Sequence, residues 1–151
     1  MTAGAELPLL IWLGALSLHD LRTRSAPGIQ VFFLCCFILG GMAHPLRAGL
    51  VSLALAGALL HWKGWLRLLL LHPSTWAVLL FGHGYRQGLV GKADLYAVAG
   101  LACVFPWQAC AAACLSLELW RRLWRRWKWD GPVPALPGLL VGIVISRFIT
   151  L

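Results

Sequence analysis

Apolar runs of about 14 to 20 residues, divided by short polar or Pro/Gly breaks, organise the chain. The pattern predicts helices over Pro8 to Asp20, Ile29 to Ala43, Arg47 to His61, Ala93 to Phe105, onward to Trp120, and Pro134 to Leu151. Ser25-Ala26-Pro27-Gly28, His44-Pro45, Pro106-Trp107 and Asp130-Gly131-Pro132 stop or turn the chain between them. Trp62 to Phe81 fits less simply, because Lys63, Arg67 and His72-Pro73 interrupt it. That stretch extends the third helix, lies in an interface, or dips in and out. Gly82 to Lys92 (GHGYRQGLVGK) reads as a glycine-rich polar loop.

Small residues recur at helical spacing within these runs. The pairs Ala54/Ala58 and Ser52/Ala56, and the stripe Gly138, Gly142 and Ser146, let helix backbones approach closely. Composition then sets the environment. Of the 151 residues, 60% are hydrophobic and 12% charged, with a mean hydropathy of +0.79. These values predict an all-α, polytopic membrane bundle of about six transmembrane helices, forming a single domain over 1–151. The first apolar segment lacks a basic flank and a small-residue cleavage site, so it reads as a retained helix.

Charge orients this bundle. With the N-terminus outside and Trp62–Phe81 not crossing, eleven of the thirteen Lys and Arg residues fall in cytoplasmic loops. Only Arg47 and Arg147 lie elsewhere. The net charge of +8 therefore reads as a membrane signal rather than nucleic-acid binding. Arg121 to Trp129 (RRLWRRWKW) reads as tryptophan anchors with arginines toward anionic lipids. The cysteines, Cys35, Cys36, Cys103, Cys110 and Cys114, form no CxxC and accompany no paired histidines. They read as packing residues, and no metal or cofactor is expected.

The five acids can be weighed one by one. Glu6 precedes the first helix and reads as solvated. Glu118 lies one turn before Arg121 and Arg122 and reads as ion-paired. Asp130 lies in a polar turn. Asp20 and Asp94 remain, one closing the first helix and the other opening the fourth. The charge count puts both at the cytoplasmic face. Loop-end pairing with Arg22, Arg24 or Lys92 is one reading. The other is a catalytic pair, because two nearby carboxylates in a partly dry site share one proton and supply a base and an acid. His19 points away from Asp20 on its helix and reads as interfacial.

Three stretches resemble one family in order. Ser17 to Gly28 (SLHDLRTRSAPG) resembles the first motif of prepilin peptidases, an aspartate closing a helix before a basic turn. Gly91 to Gly100 (GKADLYAVAG) resembles their second motif, Gly-x-Gly-Asp followed by a small-residue helix. Val133 to Ser146 (VPALPGLLVGIVIS) is similar to their closing Ile-Pro-x-x-Pro helix. The resemblance to the prepilin and preflagellin peptidases implies an intramembrane aspartic endopeptidase of the bacterial inner (cytoplasmic) membrane. It would cut the basic leader from pilin-like precursors with Asp20 and Asp94 as catalytic acids. Gly91, Lys92, Ala93, Arg22 and Pro27 would support the site. Ala93 departs from the motif's glycine, Ala26 and Gly28 from the residues around its proline, and Tyr96 from a common lysine. The family's cytoplasmic methyltransferase region with paired CxxC motifs has no counterpart here. A proton- or cation-coupled transporter, and an inactive assembly subunit of the same fold, are the alternative readings.

Overall fold

The computed structural model describes residues 3–60, 72–127 and 133–149. These are all-α, forming seven helices and no strand. The helices are α1 (Ala3–Thr23), α2 (Ile29–Ala43), α3 (Pro45–Leu60), α4 (Pro73–Arg86), α5 (Lys92–Val104), α6 (Trp107–Arg126) and α7 (Leu136–Ile149). Contacts divide the chain into two compact units. One is Met1–Gly28 with Gln108–Leu151; the other is Ile29–Trp107.

In the first unit α1 packs on α7. Leu9, Leu13, Leu16, Ser17 and Asp20 form the buried stripe of α1, at the spacing of one helical face. α6 meets α7 along the stripe that begins at Gly138. A Cβ at Gly138 would stand 3.0 Å from the Leu117 backbone, and one at Gly142 would collide with Ala112 and Ala113. These glycines are spacers that admit a neighbouring backbone.

The second unit has its own direction rules. Phe33 packs at a tilt against Tyr96, Gly100 approaches Cys36, and Gly40 approaches Cys103, so α2 and α5 run parallel. Arg47, near the start of α3, donates to the carbonyls of Ala102 and Phe105 at the end of α5, so α3 opposes α5. His72 stands beside the first residues of α3, while Gly82 meets Ala58 near the end of α3. α3 and α4 are therefore parallel. Leu60 and His72 lie at opposite ends of this unit.

Several expectations change. The loop expected from Gly82 to Lys92 is helical through Arg86, and only residues 87–91 turn. Gly82 and Gly84 serve packing instead: a Cβ at either would collide with Ala58 or with Val90 at 2.7 Å, respectively. Residues 73–86 form a helix packed on α3 and α5, which the sequence pattern did not resolve. Residues 62–71 of the interrupted stretch, with Lys63 and Arg67, lie outside the described residues, as do Lys128, Trp129 and Asp130. α6 runs on through the basic block to Arg126. Among the described residues no helix is long and apolar enough to cross a membrane. The longest two, α1 and α6, carry Glu6, Asp20 and Arg22, or Glu118 and four arginines; the apolar ones have 13 to 16 residues.

Packing at Gly40 generates a prediction. A Cβ there would lie 2.5 Å from the Cys103 carbonyl oxygen, whereas one at Gly49 meets nothing. Gly40→Ala should destabilise by about 1–3 kcal/mol through overpacking. Gly49→Ala should stabilise by about 0.5–1 kcal/mol through helix propensity. Thermal unfolding followed by circular dichroism reads both, and equal midpoints would contradict the close approach.

Candidate active site

Asp20 lies on the last turns of α1 and is 8% exposed. It continues a buried apolar stripe, so its carboxylate needs a donor. That donor comes from 116 residues away in the chain: the Leu136 amide donates to Asp20 Oδ2 at 3.4 Å. Leu136 opens α7, and Pro137 follows it in the first turn. Helix starts expose unpaired N–H groups and partial positive charge, which favour a carboxylate.

Beyond Asp20 the chain leaves α1 through Arg24, whose φ of 56° is in the left-handed region. Its guanidinium lies 4.4 Å from the centre of the Trp124 ring. His19 shares hydrogen bonds with Ser25 O at 3.0 Å and Thr23 Oγ1 at 2.8 Å, which close the same end. Arg22 is exposed on the last turn, and Pro27 sits in the turn before α2 with Gly28 at φ 79°. Trp124 is buried, which corrects its reading as a lipid anchor; Trp120 Nε1 donates to Pro134 O at 2.9 Å. Trp127 is exposed.

Asp94 is the third residue of α5 and half-buried. Its Oδ2 accepts from the Gly91 amide at 3.2 Å. Gly91 is the N-cap, in extended conformation, so the carboxylate reaches back over the first turn. Lys92 is exposed with its amine 5.9 Å from the Tyr96 ring centre, and Ala93 is half-buried. Gly91, Lys92, Ala93 and Asp94 thus form one helix start. Tyr96, noted for replacing lysine, packs against Phe33 at a ring distance of 5.5 Å.

The two other described acids have partners too. Glu118 pairs with Arg122 at 2.9 Å, as its spacing implied. Glu6 is not solvated as expected; its carboxylate is bonded to Arg147 of α7. Nothing in the sequence linked residues so far apart. The last helix was expected from Pro134 and begins at Leu136; a proline in a first turn is a helix-start signal, but it does not indicate which carboxylate takes the seat. All five cysteines are free thiols. Among the described residues no three His, Cys, Asp or Glu side chains come together as metal ligands would.

The chain matches no family model, no curated protein and no solved structure.

Two structural roles can now be tested apart from any chemistry. Asp20→Asn keeps a carbonyl acceptor for the Leu136 amide, while Asp20→Ala removes it. Hydrogen exchange at Leu136 should accelerate in the alanine variant and stay near wild type in the asparagine variant. Asp94→Ala should lower stability by about 0.5–2 kcal/mol through loss of the first-turn cap. Denaturant unfolding measures that loss, and an unchanged midpoint would show that the cap carries no weight.

Proposed function

We propose that this chain is a membrane-embedded aspartic endopeptidase that removes the leader from pilin-like precursors. Asp20 and Asp94 are its two catalytic acids. One observation carries the reading: the aspartates of two motifs, which resemble one family in order, both rest on helix-start amides, Asp20 buried and Asp94 half-buried. Such seats hold a carboxylate in one orientation, which proton transfer at a reacting carbonyl requires.

The outward faces of the helices support a bilayer setting. Leu7, Ile11 and Leu18 of α1 are exposed, as are Val31, Leu34, Ile38 and Met42 of α2 and Val141, Ile145 and Phe148 of α7. Apolar stripes on several helices suit lipid rather than water. On α6 the exposed Leu115 and Leu119 give way to exposed Arg122, Arg125 and Arg126. Hydrocarbon meeting anionic headgroups has that order. α2, at 15 residues, rises about 22 Å, short of the bilayer core of about 30 Å, so the proposed setting requires local thinning around the helices.

In the proposed reaction a pilin-like precursor lies in the bilayer with its basic leader at the cytoplasmic face. One carboxylate takes a proton from water as the water oxygen attacks the scissile carbonyl. The other, protonated, gives its proton to the leaving amine. No metal or cofactor takes part in this scheme. Co-expression with a pilin-like precursor tests it. Asp20→Asn and Asp94→Asn should each abolish leader removal while leaving the protein folded. Normal processing by either variant would overturn the assignment.

A further inference from the structure

The second unit holds one acid, Asp94, in residues 29–107, and it stands at the start of α5. Arg86 and Lys92 stand near that end, and Arg47 stands with His44 and His72 at the other, where no acid is present. There a cavity of about 440 Å³ is lined by Ala43, His44, Pro45, Leu46, Arg47 and His72. Two His-Pro pairs, His44-Pro45 and His72-Pro73, open α3 and α4 at this place. The two parallel helices thus present both N-termini at one end of the unit, and first-turn N–H groups carry partial positive charge.

Arg47 is held in place beside the cavity. Its Nε donates to Ala102 O at 2.8 Å, and its Nη2 donates to Phe105 O. His72 is oriented as well: Nδ1 accepts from the Ser74 amide at 3.2 Å, so the ring proton sits on Nε2. Burial, then the charges of Arg47 and His44, push the His72 imidazole below its ordinary range. This is the sign expected where positive charge collects without a carboxylate. At the same helix start Ser74 is fully buried, and its hydroxyl has no hydrogen-bond partner among the described residues.

We propose that this cavity binds a phosphate-bearing anion. A guanidinium, two imidazoles and the start of α3 offer donors from several directions, which suits a tetrahedral group with several acceptor oxygens; at the start of α4 the Ser74 amide is already bonded to His72 Nδ1 and the Thr75 amide to His72 O. The cavity exceeds the needs of a single halide or water. The phosphate belongs either to a lipid headgroup or to a free solute, and both present the same chemistry. The site lies at the end of the unit opposite Asp94 and does not depend on the peptidase reading.

Leu46 supplies the test. It lines the cavity and is 78% exposed, so a polar residue there should leave the fold intact. Purified protein in zwitterionic detergent is titrated by calorimetry with inorganic phosphate in one arm and with short-chain phosphatidylglycerol in the other. Binding in the first arm identifies a free phosphate, and binding in the second alone identifies a headgroup. In either case Leu46→Glu should weaken binding about tenfold or more by placing a carboxylate among the donors. Leu46→Gln should bind nearly as wild type, which separates charge from shape. Absence of binding in both arms, or equal affinity of the Glu variant and wild type, would overturn the proposal.

Discussion

Backbone contact at small residues is the constraint on which the rest of the structure depends. Gly40 lies against the Cys103 carbonyl, Gly82 against Ala58, and Gly142 against Ala112 and Ala113. Polarity does not tell the inside of these helices from the outside. α2 buries Ile29, Phe32, Cys36 and Gly40, and exposes Val31, Leu34, Ile38 and Met42, with both faces apolar. Fit decides instead: on the inward face Cys36 and Gly40 let the α5 backbone approach while Ile29 and Phe32 are buried beside them, where dispersion contacts are densest. The contact between Gly40 and Cys103 also sets the register of α2 on α5, and so fixes the end at which Asp94 stands.

The few acids are used against that background. Each of the four described carboxylates meets a specific donor: Glu6 an arginine on α7, Asp20 the first amide of α7, Asp94 its own helix start, and Glu118 an arginine one turn on. Glu6 and Asp20 lie near opposite ends of α1 and both reach α7. α1 and α7 are therefore tied antiparallel by one ion pair and one helix-start contact. The Glu118–Arg122 pair is exposed at both ends and contributes little to stability. The seats of Asp20 and Asp94 give each carboxylate a fixed orientation, and a structural task that coexists with the chemistry proposed for it.

The two ends of the second unit differ in which holds the acid, for a reason of direction. α2 and α5 run one way, and α3 and α4 the other. The starts of α3 and α4 therefore share an end with Arg47 and both His-Pro pairs, while the start of α5 faces the opposite way with Asp94. A sequence pattern that treats His44-Pro45 and His72-Pro73 as two separate interruptions has no means of bringing them together. The parallel course of α3 and α4 brings them to one end.

Local features of the chain were legible without the structure. α2 ends where the apolar run ends, the break before α3 falls at His44-Pro45, and Glu118 pairs within its own helix, because turn chemistry and neighbours one helical turn apart act over a few residues. The placing of Asp94 one turn inside a helix start was equally local. Long-range outcomes were not. Gly82 and Gly84 carry the composition of a loop, and only contact with Ala58 and Val90 shows them to be helix spacers. Trp124 belongs to a basic-aromatic block, and only the packing of the first unit, with Arg24 over its ring and Trp120 beside it, shows it to be buried. Asp20 finds its donor 116 residues away. By itself, then, the sequence determined helices, their breaks and the scarcity of acids. Tertiary structure alone decided which apolar face turned inward and which donor met each distant carboxylate, because in helices apolar all round those choices rest on shape and proximity rather than on pattern.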